Sequence, residues 1–257
     1  MRSRTFPPVE YADRDGFLAA GGSFSPDILW DAYQHGIFPW PNDQADAIWW
    51  FAPPVRFVLY PEDLHLSRSL QRTLRKKPFT IRTDTAFTEV MENCMNALRP
   101  VSEGTAHSEK TRGTWILPPM VESYTTLHRM GIAHSIEAWY NGELVGGLYG
   151  LCVGSIFCGE SMFTKVPNAA KCAFATFALS AFPLGIRLID CQARTNNMAR
   201  YGAKDIPRKL FMEHIQQWKI ERVDWHQIQE HIEDMNKTED MNACTPNTSP
   251  IPPLSRP

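Results

Sequence analysis

The chain has 257 residues, a formal net charge of −2 and 43% hydrophobic residues, which suits one large globular domain or two unequal ones. This charge excludes a uniformly basic nucleic-acid-binding protein, although a balanced total allows a local basic patch. The six cysteines show no C-x-x-C spacing and lie mostly in apolar runs, as is typical of free thiols in a reducing compartment. No stretch has the pattern of a signal peptide or the length of a membrane span, so we expect a cytoplasmic protein that does not bind a membrane.

The first 64 residues predict a small, irregular N-terminal domain held together by aromatic side chains. Proline, glycine and aromatic residues are frequent there. One helix is expected, with Ser25 as N-cap, Pro26 at its first position and its end at Gly36. A strand at residues 56–60 is expected to lead out of this domain.

Residues 65–235 predict a second domain of regular helices and strands. Helices are expected at 66–76, 87–98, 118–130, 169–182 and 207–218, and Asp84 or Thr85 is expected to cap the helix at 87–98. Strands are expected at 79–82, 135–140, 143–149, 155–163 and 187–192, with Asn141-Gly142 as the turn of a hairpin. Residues 99–111 predict an exposed loop, and residues 236–257 predict a disordered tail.

The order of these elements predicts an α+β fold class, with a mixed β-sheet flanked by helices in the second domain. Among such folds the second domain most resembles the N-acetyltransferase-like (GNAT-like) acyltransferases. In that fold a turn and a helix after the central strand hold the acyl donor.

Three polar side chains lie in predicted strands where an aliphatic residue is usual. Glu160 lies in the run 157–163, while Asp190 and Gln192 lie two residues apart and therefore on one face of the strand 187–192. Burying a carboxylate or an amide without partners costs several kcal/mol, so these groups either form a polar network in the core or contact a ligand. A carboxylate beside a carboxamide can orient it so that its carbonyl oxygen accepts a hydrogen bond from an attacking amine.

Several common kinds of site have no counterpart in the sequence. There is no Walker-type loop, no G-x-G-x-x-G before a helix and no G-x-S-x-G nucleophile motif, and the histidines are too dispersed for an H-E-x-x-H site. Neither a metal nor a cofactor is therefore expected. Cys158 and Cys191 lie beside acids within predicted strands, which favours core thiols over nucleophiles. The remaining chemistry is direct transfer of an activated acyl group to an amine, where alignment contributes about 7–11 kcal/mol.

Seven motifs then occur in order between Phe6 and Phe211: 36–40 (GIFPW), 113–116 (GTWI), 134–137 (HSIE), 144–147 (LVGG), 157–163 (FCGESMF), 190–192 (DCQ) and 206–208 (IPR). Together they resemble the bacterial leucyl/phenylalanyl-tRNA–protein transferase family. The resemblance implies transfer of Leu, Phe and less readily Met from aminoacyl-tRNA to the N-terminal Arg or Lys of a protein. The new N-terminus would mark that protein for degradation through the N-degron pathway.

The resemblance also implies roles for individual residues. The catalytic residues would be Asp190, Gln192 and Glu160, the last of which could also favour a cationic acceptor. The 3′-terminal adenosine would stack on Trp50 or its neighbour Trp49 and on Trp115, and Tyr124 would line the site. The walls of the donor side-chain pocket would be Leu148, Phe157 and Phe177. The tRNA acceptor stem would contact Arg68, Arg72, Arg75, Lys76, Lys77 and Arg82, although a basic helix end is also typical of a solvated surface.

The sequence departs from the family pattern after Gln192, at Thr195, Asn197 and Arg200.

Two other functions compete with the resemblance. An acyl-CoA-dependent N-acyltransferase of the same fold would need a pyrophosphate-binding loop where residues 165–171 read KVPNAAK. A non-enzymatic RNA-binding module would use the tryptophans and the basic helix, but it would leave the three buried polar groups unexplained.

Overall fold

The computed structural model describes residue 3 and residues 5–40, 47–97 and 116–238. These residues form a three-stranded sheet, a seven-stranded mixed sheet and eight α-helices. The smaller sheet contains β1 (Phe17–Ala20), β2 (Phe38–Pro39) and β3 (Trp49–Phe51). The larger sheet contains β4 (Val55–Leu59), β5 (Thr80–Thr83), β6 (Ala133–Tyr140), β7 (Glu143–Val153), β8 (Ile156–Thr164), β9 (Leu188–Asp190) and β10 (Lys204–Pro207). The helices are α1 (Pro26–Tyr33), α2 (Arg68–Arg75), α3 (Phe87–Asn96), α4 (Pro118–Arg129), α5 (Ala169–Ala181), α6 (Asn196–Ala199), α7 (Arg208–Trp218) and α8 (Trp225–Lys237).

The seven strands of the larger sheet follow the order β10-β4-β9-β8-β7-β6-β5. Neighbouring strands are antiparallel except for β8 and β9, which are parallel and are joined by α5. On one face α5 packs against the sheet and against α2 and α8, while α3 and α4 pack on the other face. The predicted α+β class with a mixed sheet flanked by helices is therefore confirmed, whereas the GNAT-like assignment stays a prediction.

Local sequence signals account for several element boundaries. α1 begins at Pro26 directly after Ser25, and Gly131 follows α4 in the left-handed conformation, with a φ of 71°. The hairpin turn between β6 and β7 consists of Asn141 and Gly142, whose φ angles of 50° and 81° match a tight type I′ turn. The predicted loop at 99–111 and residues 239–257 of the predicted tail lie outside the described residues.

The prediction that Asp84 or Thr85 caps α3 is wrong. The N-cap is Ala86, which makes no capping hydrogen bond with its side chain, and Asp84 adopts a left-handed φ of 58°. The carboxylate of Glu137, in β6, instead accepts the backbone N–H groups of Thr85 and Ala86 at 2.9 and 2.8 Å. A buried acid from a distant strand thus replaces the local cap.

The sequence-based prediction also missed α8, since 207–218 was the last helix expected. Ile228 and Ile232 are the buried residues of α8, and together with Trp225 and Met235 they follow a helical spacing, so a signal for this helix was available in the sequence. Contacts with β5 hold its end in place. The Asn236 carboxamide pairs with the backbone of Ile81 at 3.1 and 2.7 Å, and the Lys77 ammonium donates to carbonyl oxygens at the end of α8. The start of the predicted disordered tail is therefore helical.

The predicted domain division at residue 64 stays a prediction, but residues on both sides of it belong to the same sheet and to the same buried cluster. The strand expected at 56–60 is β4, which lies inside the larger sheet between β10 and β9. Phe6 and Trp50 belong to the same buried cluster as Tyr124 of α4. Among the described residues, no helix is both long enough and apolar enough to cross a bilayer.

Candidate active site

A β-bulge turns the side chain of Glu160 towards a cluster of polar side chains on one face of the larger sheet. In the β7–β8 ladder Tyr149 pairs with Ser161 and Gly150 pairs with Gly159, which leaves Glu160 as the extra residue. A bulge re-aims the side chain of its unpaired residue, and bulges of this kind are frequent next to active sites. Glu160 is thereby turned towards α4 and the segment that follows β9.

The carboxylate of Glu160 accepts hydrogen bonds from two elements. The Gln192 Nε2 lies 2.6 Å from Glu160 Oε1, and the Tyr124 hydroxyl lies 3.4 Å from Oε2. The Tyr33 hydroxyl, from α1, lies 2.5 Å from the Tyr124 hydroxyl. The structure therefore brings together Glu160, Gln192 and Tyr124, and it adds Tyr33, which the sequence reasoning missed because nothing local sets this tyrosine apart.

Burial changes the proton affinity of these groups. Desolvation raises the pKa of Glu160 from 4.5 to about 7. Burial, and then the charge of Glu160, also raises the pKa of Tyr33 and that of Tyr124 well above 10. At neutral pH both phenols are therefore protonated, while Glu160 is able to exchange a proton near pH 7, as a general acid or base requires.

The predicted arrangement of Gln192 beside Asp190 on one strand face is wrong. β9 ends at Asp190, and Gln192 adopts a left-handed φ of 60°, so the two side chains point to different partners. Asp190 Oδ1 accepts the backbone N–H of Gln192 at 2.9 Å, whereas the carboxamide contacts Glu160. Because an ionised carboxylate can only accept, Glu160 holds the NH₂ group of Gln192 and turns its carbonyl oxygen the other way.

Asp190 forms a buried ion pair with Arg56 of β4. Arg56 Nε and Nη2 donate to the two carboxylate oxygens at 2.8 and 2.6 Å, and the side chains are only 2% and 0% exposed. Arg56 Nη1 donates to the carbonyl of Gly36, and the guanidinium lies over the rings of Phe38 and Phe211 at 4.6 and 4.5 Å. Asp190 is thus a fixed anion that holds the backbone of Gln192 in place.

Sequence reasoning did not single out Arg56, although a signal was available. Arg56 is flanked by Val55, Phe57 and Val58 in a strand that is buried from residue 56 onward. A charged residue inside such a strand requires a buried partner, because an unpaired charge in the core is very costly. The partner itself, 134 residues away, was not readable from that pattern.

The two cysteines beside the site behave as core thiols. Burial raises the pKa of Cys158 and that of Cys191 well above 9, and the charge of Asp190 raises both further. A protonated thiol is a weak nucleophile, so neither cysteine has the character of an activated nucleophile.

The predicted donor-pocket residues lie together in the core. The rings of Phe157 and Phe177 are 4.6 Å apart, and Leu148 belongs to the same buried cluster. The indole of Trp225, from α8, packs at 6.1 and 5.7 Å from the two rings. Because the three predicted residues are at most 3% exposed, this arrangement is closed, and their role as pocket walls stays a prediction.

The two tryptophans of β3 differ in exposure. Trp50 is 1% exposed, donates its indole N–H to the carbonyl of Gly21 at 2.9 Å and packs edge-on against Phe6. Trp50 therefore offers no open ring face on which the terminal adenosine could stack, so of the two neighbouring tryptophans only Trp49 fits the expected role. Trp49 is partly exposed and keeps the predicted role, while Trp115 lies outside the described residues.

Four of the predicted tRNA-binding residues form one exposed stripe along α2, which we call the α2 basic face: Arg68, Arg72, Arg75 and Lys76. None of them belongs to an ion pair found among the described residues. Arg82 is exposed, with its guanidinium 5.3 Å from the ring of Trp139. Lys77 departs from the prediction, because its ammonium is bound to the end of α8.

The raised pKa of Glu160 predicts a pH dependence of stability. Between about pH 4.5 and 7 the folded protein binds more protons than the unfolded chain, so the free energy of unfolding should fall as the pH rises through this window. Glu160→Gln should remove this fall, whereas Glu233→Gln, at an exposed position of α8, should keep it. Urea unfolding of the three proteins from pH 5 to 8 measures the effect. The prediction is contradicted if the free energy of unfolding changes with pH in the same way in the wild type and in Glu160→Gln.

Comparison with known proteins gives consistent matches. The family model described as leucyl/phenylalanyl-tRNA protein transferase matches residues 58–216, and the model of that family's N-terminal domain matches residues 22–54. A leucyl/phenylalanyl-tRNA–protein transferase from Nitrosomonas eutropha is 51% identical over 208 residues, covering 80% of this chain and 84% of the relative. One from Myxococcus xanthus is 46% identical over 207 residues, with the same coverage.

Among solved structures, one match is the C-terminal domain (DUF2156) of a putative lysylphosphatidylglycerol synthetase from Agrobacterium fabrum. It has a TM-score of 0.36 and 10% identity, and the match covers 83% of this chain and 64% of that one. A similarity of this size carries no argument about fold or function.

Proposed function

Since this chain belongs to the leucyl/phenylalanyl-tRNA–protein transferase family and is an aminoacyltransferase, we propose that it transfers Leu, Phe and less readily Met from aminoacyl-tRNA. The acceptor is a protein with an N-terminal Arg or Lys, which is thereby marked for degradation through the N-degron pathway. The contact between Gln192 and Glu160 at 2.6 Å supports this best, because it orients a carboxamide beside a proton acceptor. The five described cysteines are free, which supports a cytoplasmic location.

In the proposed reaction, the acceptor α-amine attacks the carbonyl carbon of the aminoacyl ester. The Gln192 carbonyl oxygen accepts an N–H of this amine, whose pKa near 8 leaves a good fraction neutral. Glu160 holds the carboxamide and takes the proton that the amine loses. The new C–N bond forms, the bond from the carbonyl carbon to the ribose oxygen breaks, and the proton passes to that leaving oxygen. Asp190 does not touch the amine; it positions Gln192 through its backbone N–H.

The substrate groups are proposed to lie on either side of this centre. Glu160, when ionised, favours the cationic side chain of an N-terminal Arg or Lys. The donor side chain binds against the apolar cluster of Leu148, Phe157 and Phe177, and the terminal adenosine stacks on Trp49 and Trp115. We also propose the GNAT-like relationship, which the parallel β8–α5–β9 unit next to the bulge supports.

The function is tested by incubating the protein with labelled Phe-tRNA and a peptide that begins with Arg. We expect the label to move to the peptide and the transfer to be abolished by prior ribonuclease treatment. The same peptide with an acetylated N-terminus is the matched control and should stay unlabelled. Transfer from an acyl-CoA but not from Phe-tRNA would overturn the proposal in favour of a small-molecule N-acyltransferase.

The α2 basic face should act through charge. Replacing Arg72, Arg75 and Lys76 by Ala should raise the KM for Phe-tRNA and flatten its dependence on salt, by about 0.9 in the log–log slope for each phosphate that is no longer neutralised. Transfer from 3′-phenylalanyl adenosine should not change. Lys77→Ala is the control, since its ammonium binds α8 rather than solvent: it should lower stability without changing the salt slope. Equal losses with both donors would show that the face is structural.

A further inference from the structure

A second pocket lies beside the proposed site and takes no part in the mechanism above. It encloses about 530 Å³ between α2, the start of α5 and α6. Its polar lining comes from hydroxyl, amide and cationic side chains, chiefly Ser67, Ser69, Asn168, Lys171, Asn197 and Arg200. The chemistry of this lining indicates what the pocket binds.

The pocket carries positive charge that the protein does not neutralise. Lys171 and Arg200 are both exposed, and neither belongs to an ion pair found in the described part of the chain. The residues that line the pocket include no Asp or Glu. Two like charges at one pocket repel each other, and an anion between them removes that repulsion. A guanidinium with nearby hydroxyl and amide donors matches the several acceptor oxygens of a phosphate.

The pocket lies between the apolar cluster proposed to hold the donor side chain and the α2 basic face. The Asn197 Nδ2 lies 3.3 Å from the Met162 Sδ, and Met162 pairs with Leu148 across the β7–β8 ladder. Met162 and Leu148 belong to the cluster proposed to hold the donor side chain, whereas the bulge turns Glu160, two residues earlier in β8, towards Tyr124. On the other side, Ser69 belongs to α2, the helix that carries the basic face.

We propose that this pocket binds a phosphodiester group of the single-stranded 3′ end of the donor tRNA, with Lys171 and Arg200 as the phosphate-binding cations. The inference rests on the proposed function, since it names a further contact of the same donor. The α2 basic face then holds the double-stranded acceptor stem, and the pocket holds the strand that leads from the stem to the reacting ester. The pocket contributes to donor binding and takes no part in bond formation.

Three donors that share one reactive end separate these contacts. They are 3′-phenylalanyl adenosine, which has no phosphodiester, the phenylalanylated trinucleotide CCA, which has no stem, and intact Phe-tRNA. The double variant Lys171→Ala/Arg200→Ala should raise the KM for the trinucleotide and for Phe-tRNA about tenfold. It should leave the rate with phenylalanyl adenosine unchanged. The variant of the α2 basic face should impair only Phe-tRNA.

Two controls keep the result interpretable. Arg200→Lys retains the charge and should recover most of the trinucleotide affinity, while Arg222→Ala removes an exposed cation outside the pocket and should have no effect. An unchanged KM for the trinucleotide in the double variant would overturn the inference, as would an equal loss with phenylalanyl adenosine. If the wild-type protein transfers from none of the three donors, the proposed function itself fails, which is a different outcome.

Discussion

Replacing Arg56 by Ala should lower the free energy of unfolding by about 3–5 kcal/mol. The variant leaves the Asp190 carboxylate buried without its bidentate partner, and it removes the guanidinium from between the rings of Phe38 and Phe211. Urea unfolding at pH 7 measures the loss. Activity should fall with stability, because Asp190 would no longer hold the backbone of Gln192.

An exposed ion pair provides the matched control for this prediction. Arg187 and Glu221 are 2.6 Å apart, but their side chains are 50% and 32% exposed. Arg187→Ala should therefore cost no more than about 1 kcal/mol. A double variant, Arg56→Met/Asp190→Leu, should be much more stable than Arg56→Ala, since it leaves no buried charge. Similar losses in the free energy of unfolding for Arg56→Ala and Arg187→Ala would show that burial does not make the Arg56–Asp190 pair more important for stability than an exposed pair.

Replacing Gln192 by Ala should lower kcat about 100-fold or more while leaving the KM for Phe-tRNA nearly unchanged. The variant removes the proposed acceptor of the amine N–H but removes nothing that binds the tRNA. Gln192→Glu should be as inactive, because two carboxyl groups at the present distance of 2.6 Å would share one proton, so that Glu160 is no longer free to take a proton. Steady-state transfer to an Arg-starting peptide, with Phe-tRNA titrated, separates kcat from KM.

The control for Gln192 is Gln216→Ala, an exposed position of α7, which should keep the wild-type rate. Asp190→Ala should also lower turnover, but together with stability, because it leaves Arg56 buried and unpaired. Near wild-type turnover in both Gln192 variants would remove this residue from the proposed mechanism.

Features that depend on a few adjacent residues could be predicted from the sequence alone. Pro26 marks the start of α1, although the side chain of Ser25 makes no capping hydrogen bond, and Asn141-Gly142 set the hairpin, because each signal acts on the backbone conformation of its immediate neighbours. The spacing of Leu66, Leu70 and Leu74 predicted α2, and the helices α3, α4, α5 and α7 also lie where the sequence predicted them. Glu160 and Gln192 stood out as site candidates because polar groups are costly inside apolar strands, and the structure places them in contact.

The partners that these residues meet depend on how the chain packs in three dimensions. The order of the strands sets Asp190 beside Arg56 across 134 residues, and the bulge in β8 turns Glu160 towards Gln192 and Tyr124. Packing of distant segments also lets the Glu137 carboxylate of β6 cap α3, and it lets Lys77 bind the end of α8. Such contacts depend on strand order, register and helix docking, which arise when distant segments pack. No window of neighbouring residues encodes them.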